Sequence, residues 1–83
     1  MNYKMKENET TNSIYDILTR REIEITKLIA NGCTDKEIAT RLGIGFYTAR
    51  THHKNILRKT GQKNIGGLIK FVLNNGLVLP HFP

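Results

Sequence analysis

The run Phe46-Tyr47-Thr48-Ala49-Arg50-Thr51-His52-His53-Lys54-Asn55-Ile56-Leu57-Arg58-Lys59-Thr60 carries four Arg or Lys residues and no acidic one. Wound at about 100° per residue, it separates two chemistries. Ala49, His53, Ile56, Leu57 and Thr60 gather on one side, and Tyr47, Thr51, Lys54 and Arg58 on the other. The first side can pack; the second, basic and hydroxyl-bearing with no carboxylate, attracts phosphate. A helix over 46–60 presented to DNA is the reading the rest of the chain must support.

Working outward toward the N-terminus, Gly43-Ile44-Gly45 reads as a tight turn in which only Ile44 can plug into a core. Before it, Thr34-Asp35-Lys36-Glu37 has the spacing of a capping box, so a helix starts there, turns Ile38, Ala39 and Leu42 inward and stops at Gly43. Thr19-Arg20-Arg21-Glu22 repeats the device. Its helix buries Ile25, Leu28 and Ile29, with Ile23 and Ala30 flanking, and ends at Asn31-Gly32. A short helix, a glycine-bearing turn and a longer basic helix make a helix-turn-helix.

On the C-terminal side Gly61 ends the basic helix and Asn64 is an N-cap for a fourth, with Leu68, Ile69, Val72 and Leu73 as its apolar stripe, Phe71 beside it and Asn75-Gly76 as its stop. Nothing reads as a strand pair or an internal repeat. The expected fold is all-α, a four-helix bundle containing a helix-turn-helix. Its expected organisation is a tail or linker remnant over 1–17, the domain over 18–77 and a short tail over 78–83. The alternative is that Ile14, Ile17 and Leu18 lay an apolar patch against the body and order starts near Ser13 instead of Thr19. Phe71, Leu77, Val78 and Phe82 suit a core or a dimer surface equally.

At 83 residues the chain holds one domain with a modest core. Its net charge of +6 is unevenly spread, because Glu37 is the last acidic residue and Arg41, Arg50, Lys54, Arg58, Lys59, Lys63 and Lys70 follow unopposed. That asymmetry favours a polyanion. A single cysteine, Cys33, excludes an internal disulfide, and no apolar run reaches the roughly 18 residues of a membrane helix, so a cytoplasmic protein is expected. His52 and His53 are adjacent and diverge by about 100° on a helix, which makes them a poor metal pair. No cofactor, metal or catalytic set is expected: paired carboxylates, a nucleophile with its base and a phosphate-cradling loop are all missing.

Three blocks together resemble a known family. Leu-Thr-Arg-Arg-Glu-Ile-Glu-Ile from Leu18, Asn-Gly-Cys-Thr-Asp-Lys-Glu-Ile-Ala-Thr-Arg-Leu-Gly-Ile from Asn31, and Thr-Ala-Arg-Thr-His-His-Lys-Asn-Ile-Leu-Arg-Lys-Thr-Gly from Thr48 are similar to the C-terminal DNA-binding domain of LuxR/NarL/FixJ-type bacterial transcription regulators. The resemblance runs from about Leu18 to Leu77. It implies the third helix in the DNA major groove and a homodimer through the fourth, so that Leu68, Phe71, Val72 and Asn75 are expected at a dimer interface. RNA polymerase is a further expected partner of such a regulator.

The family's base-reading positions fall on Arg50, Thr51 and Lys54, and its phosphate contacts around Thr34, Lys36, Thr48 and Arg58. Tyr47 is a phosphate-contacting hydroxyl or a surface aromatic, Lys63 joins the phosphate contacts, and Lys59 adds general positive field. His52 matches the family's histidine at the edge of the core, bracing the helix or touching the DNA backbone. Departures stand at Ala49, where the family prefers Val; at Thr26 and Thr60, where it prefers Leu; at Gly45, usually a Ser cap; and at Ile65, often Arg. They imply a domain of ordinary or low stability. A protein-interaction module that docks an acidic partner on the same basic face is the alternative; steep salt dependence and preference among duplexes separate the two.

Overall fold

The computed structural model describes residues 14–76, and among them every regular element is a helix. The helices are α1 (Ile14–Ile17), α2 (Arg20–Ala30), α3 (Asp35–Leu42), α4 (Phe46–Thr60) and α5 (Ile65–Asn74). The four expected helices are therefore joined by a fifth. Residues 14–17, placed in a tail with packing of Ile14, Ile17 and Leu18 on the body as the alternative, follow the alternative: Ile14 is fully buried and Leu18 nearly so. Burying an Ile side chain stabilises by about 1.5–3 kcal/mol, enough to hold one turn of helix on α2 and α4. The expected tail over 78–83, together with Leu77, lies outside the described residues, as do residues 1–13.

Local chemistry sets the helix ends. Both capping boxes form: the Thr19 hydroxyl accepts from the Glu22 amide at 3.1 Å while Glu22 accepts from the Thr19 amide at 2.8 Å. Thr34 and Glu37 repeat these distances. Gly43 stops α3 in the left-handed region at φ +65°, where a side chain would be strained, and the chain turns at once into α4.

The core is a single cluster in which Ile25 and Ile29 of α2, Ile38 and Ala39 of α3, Ala49 and Ile56 of α4, and Leu68 and Val72 of α5 are all buried. α4 runs through the middle, packing most extensively on α3 and also on α1, α2 and α5. Ile44 packs against the cluster from the turn, as its isolation predicts. Leu73 departs from its expected stripe and is 58% exposed. It is about 100° around α5 from Val72, and α2 and α4 cover only the Leu68–Val72 side.

The two threonines at positions where the family prefers Leu are absorbed without loose polar groups. Thr26 donates to the Glu22 carbonyl at 2.7 Å and Thr60 to the Ile56 carbonyl at 2.8 Å, both one turn back in their own helix. Each hydroxyl is satisfied, so the penalty of an unpaired buried group is avoided. Gly45 is different: it sits at the N-cap of α4 with no side-chain bond to the helix amides. A Cβ there would lie 3.7 Å from the Thr48 hydroxyl, ordinary contact, and φ is −72°. Gly45→Ser is expected to add about 0.5–1 kcal/mol of stability through a cap and a less flexible unfolded chain, read as a raised midpoint in urea. An unchanged or lowered midpoint would show that the amides of this end are already satisfied by water.

Candidate nucleic-acid interface

The inward stripe of α4 fixes the orientation of everything on its other side. With Ala49, Ile56 and Thr60 buried, Tyr47, Arg50, Thr51, Lys54 and Arg58 are exposed on one continuous face. Tyr47 is 80% exposed. Tyr47, Thr48, Thr51, His52 and Asn55 line a shallow concavity of about 290 Å³ along this face. Of the base-reading residues expected from sequence, Arg50, Thr51 and Lys54 thus lie together on the free surface. Arg58 joins them one turn below Lys54, its guanidinium 3.3 Å from the Asn55 side-chain oxygen.

The amino end of α4 carries an arrangement that sequence reasoning missed. Phe46 and Tyr47 meet edge to face with ring centroids 5.3 Å apart, and the Arg50 guanidinium carbon lies 6.0 Å from the Phe46 ring centroid. That is the outer limit of a cation–π contact. The available signal was the i, i+4 spacing of an aromatic and an arginine. No acidic residue occupies the first turn of α4, and Gly45 offers its amides no side-chain acceptor. This end of the helix therefore presents free donors and a positive dipole beside Thr48, the conditions that favour an anion.

The amino end of α3 is differently occupied. The Thr34 hydroxyl oxygen accepts from the Glu37 amide and the Thr34 amide donates to the Glu37 carboxylate, and Asp35 and Glu37 place two carboxylates in the first turn. The Thr34 amide and the Arg41 cation hold the Glu37 carboxyl below its usual range of about 4.5. The capping box uses the Thr34 hydroxyl only as an acceptor, so its own hydrogen remains to donate outward, and Lys36 is exposed beside it. Lys63 is exposed in the connection between α4 and α5.

Two side-chain contacts brace α4 from behind, the second of them an ion pair. His53 Nδ1 is 2.8 Å from Asp35 Oδ1, tying α4 to the start of α3. Lys59 Nζ is 2.9 Å from Glu22 Oε1, tying its far end to the start of α2. The brace at α3 is thus His53, while His52 is half-buried on the outward concavity. Lys59, read as general positive field, has a specific partner that is 94% buried at the side chain, since Glu22 retains only 6% exposure there. Partners separated by 37 positions leave no mark in local spacing.

Two of the residues expected at a dimer interface have no surface to give. Leu68 is 1% exposed and Val72 is fully buried, because both face the interior of their own chain. Phe71 is half-buried, and the Asn75 side-chain amide donates to the Phe71 carbonyl at 2.8 Å. The apolar surface α5 actually shows is Ile65, 43% exposed, and Leu73, with half-buried Ile69 between them at helical spacing. Among the described residues no group of three or more His, Cys, Asp or Glu side chains is placed to hold a metal, and no helix is long and apolar enough to cross a membrane.

A capped short helix, a glycine turn and a longer helix with an acid-free outer face define a helix-turn-helix DNA-binding domain of the transcription-regulator class. The family model of bacterial regulatory proteins, luxR family, matches residues 16–72, and the chain belongs to that family. It is 48% identical over 63 residues to the transcriptional regulatory protein MctR of Rhizobium johnstonii, across 76% of this chain and 29% of MctR. It is 33% identical over 78 residues to the oxygen regulatory protein NreC of Staphylococcus haemolyticus, across 94% of this chain and 36% of NreC. The chain thus spans about a third of the length of these relatives, both of them regulatory proteins.

Among solved structures, the Vibrio cholerae VqmA dimer in the absence of target DNA superposes with a TM-score of 0.69 at 30% identity, covering 72% of this chain and 27% of that one. The VqmA–ligand–DNA complex gives 0.68 at 27% identity, covering 84% and 31%.

Proposed function

We propose that the chain binds double-stranded DNA sequence-specifically to regulate transcription, with α4 in the major groove. The observation that carries this reading is the outward face of α4, where Arg50, Thr51, Lys54 and Arg58 stand exposed with no carboxylate while the opposite stripe is locked in the core. Arg50 has the reach and fork geometry for a guanine edge, Lys54 donates there less selectively, and the Thr51 methyl suits thymine. Tyr47, Thr48, Arg58, Lys36 and Lys63 surround these readers as phosphate contacts, the Thr48 end helped by the open amides of α4. Thr34 joins them through the hydroxyl hydrogen that its capping box leaves unused.

Dimerisation is proposed through α5, on the ridge of Ile65, Ile69 and Leu73 with Phe71 and Asn75 at its margin. A second copy would cover apolar surface that the monomer leaves in water. Such a dimer pairs half-sites about one helical turn apart. The test is selection from a random duplex library with the purified chain, followed by binding at several salt concentrations. The expected outcome is an enriched pair of half-sites whose log affinity falls linearly with log salt, at a slope of about −0.9 for each phosphate contacted. Enrichment of no sequence would overturn the reading and favour an acidic protein partner on the same face.

A further inference from the structure

α2 carries a second stripe beside the one it buries. Arg20, Ile23, Glu24, Lys27 and Leu28 recur along one side of the helix, and with Arg41 and Leu42 at the end of α3 they enclose an open groove of about 520 Å³. That lies within the range of about 300–1,000 Å³ typical of binding clefts. The floor is apolar: Ile23, Leu28 and Leu42 are half-buried, and each is packed from below against the core, so it is held in shape. A hollow of about 370 Å³ continues the groove past Leu18 and shares Arg20, Ile23 and Lys27 with it.

The rim is positive. Glu24, its only acid, is drawn to Arg21 at 3.3 Å, outside the groove lining. Arg20 and Lys27 have no ion pair among the described residues. None of these residues lies on α4, so the groove shares no side chain with the face proposed for DNA.

We infer that this groove docks an acidic amphipathic segment of a partner protein, with apolar side chains seated over Ile23, Leu28 and Leu42 and carboxylates on Arg20 and Lys27. Charge complementarity selects an acidic occupant over duplex DNA, a second copy's α5 and the chain's own residues 77–83. Duplex DNA would satisfy the cations but leave the apolar floor without a partner. A second copy bringing α5 offers Ile65 and Leu73 but no carboxylate, because no acidic residue follows Glu37. The chain's own Leu77-Val78-Leu79-Pro80-His81-Phe82-Pro83 is apolar and equally free of acid. A helix laid along α2 meets both demands at once, with its apolar side chains at i, i+3 or i+4 and i+7.

The experiment is a phage selection of random peptides on the immobilised full chain at low salt, with winners remeasured in solution. Enrichment of peptides that pair apolar residues at helical spacing with flanking Asp or Glu is the expected result. Their affinity should fall at least about tenfold in the Arg20→Glu/Lys27→Glu chain and survive Lys54→Ala, which removes a cation proposed for DNA. The neutral Arg20→Gln/Lys27→Gln chain is measured alongside, with circular dichroism to check its fold, and an intermediate loss is expected there. No enrichment, winners without acids that resemble residues 77–83, winners indifferent to the charge changes, or displacement of winners by duplex DNA would each overturn the inference. Winners that resemble residues 1–13, where Glu7 and Glu9 stand, would overturn the assignment to a partner.

Discussion

Lys59→Ala is expected to destabilise the domain by about 2 kcal/mol, measured as a lower midpoint in urea with an unchanged slope. The reason lies with its partner. Glu22 is 4% exposed overall and does two jobs: one oxygen accepts from the Thr19 amide to start α2, and the same oxygen receives the Lys59 ammonium at 2.9 Å. Removing the cation leaves a buried carboxylate with only hydrogen bonds to answer its charge. Breaking a fully buried pair costs about 3–5 kcal/mol; Lys59 keeps 30% side-chain exposure, so water reaches the pair and the expected cost is nearer the lower end or below it.

The pH dependence gives this effect a signature. Burial by itself would raise the Glu22 carboxyl, but the Lys59 ammonium and the Thr19 amide outweigh it and hold the group below 4.5. A carboxyl lowered in the folded state contributes stability that is fully present above its unfolded value and is lost as pH falls through the folded value. In the Lys59→Ala chain burial is no longer opposed by a cation. The deficit relative to the parent should therefore be full at neutral pH and shrink as pH falls, because Glu22 in the variant takes a proton before the parent's does and then needs no partner. A deficit below about 0.5 kcal/mol that ignores pH would place the pair with ordinary surface ion pairs.

What the sequence made legible follows from the range of the interactions. Both capping boxes, the glycine stops and the period of α4 are set by neighbours within four positions, and each appears in the structure where the residues put it. The grouping of Tyr47, Thr51, Lys54 and Arg58 on one face has the same origin, for only the rotation of a single helix is involved, whereas Arg50, at the edge of that face, was singled out by the family resemblance. Contacts between distant segments left no such trace. Glu22 with Lys59, and Asp35 with His53, join helices whose approach is decided by the core.

The same limit explains α5: a four-residue apolar set shows that one side packs but not how wide the cover is, so Leu73 stays outside while Leu68 and Val72 disappear inside. At Ile14 the trace was short: Ile14, Ile17 and Leu18 share the spacing of a single turn, which suggests a patch on the body, but the space it fills is closed by the distant α2 and α4.

Arg50→Ala and Arg58→Ala should differ in kind, although each removes one guanidinium from the same face. Arg50 stands beside Thr51 and one turn above Lys54, with Phe46 alongside to limit its excursions, so its proposed partner is a base edge. Losing a bidentate contact to guanine costs about 1–3 kcal/mol for the preferred site and nothing for sites that lack the base, so discrimination at one base pair should collapse by roughly 5- to 150-fold. Lys54→Ala should do the same at an adjacent position, more weakly, since an ammonium is less particular about its acceptor.

Arg58 lies further along α4 with its guanidinium engaged by Asn55, and its proposed partner is a phosphate. Its removal should weaken every duplex by a similar factor and reduce the salt slope by about 1, leaving the ranking of sites intact. Affinities of the three variants for the selected duplex and for its single-base-pair changes decide the assignment. A ranking preserved in Arg50→Ala but altered in Arg58→Ala would exchange their roles, and would mean that α4 lies in the groove with its C-terminal half, not its N-terminal half, against the bases.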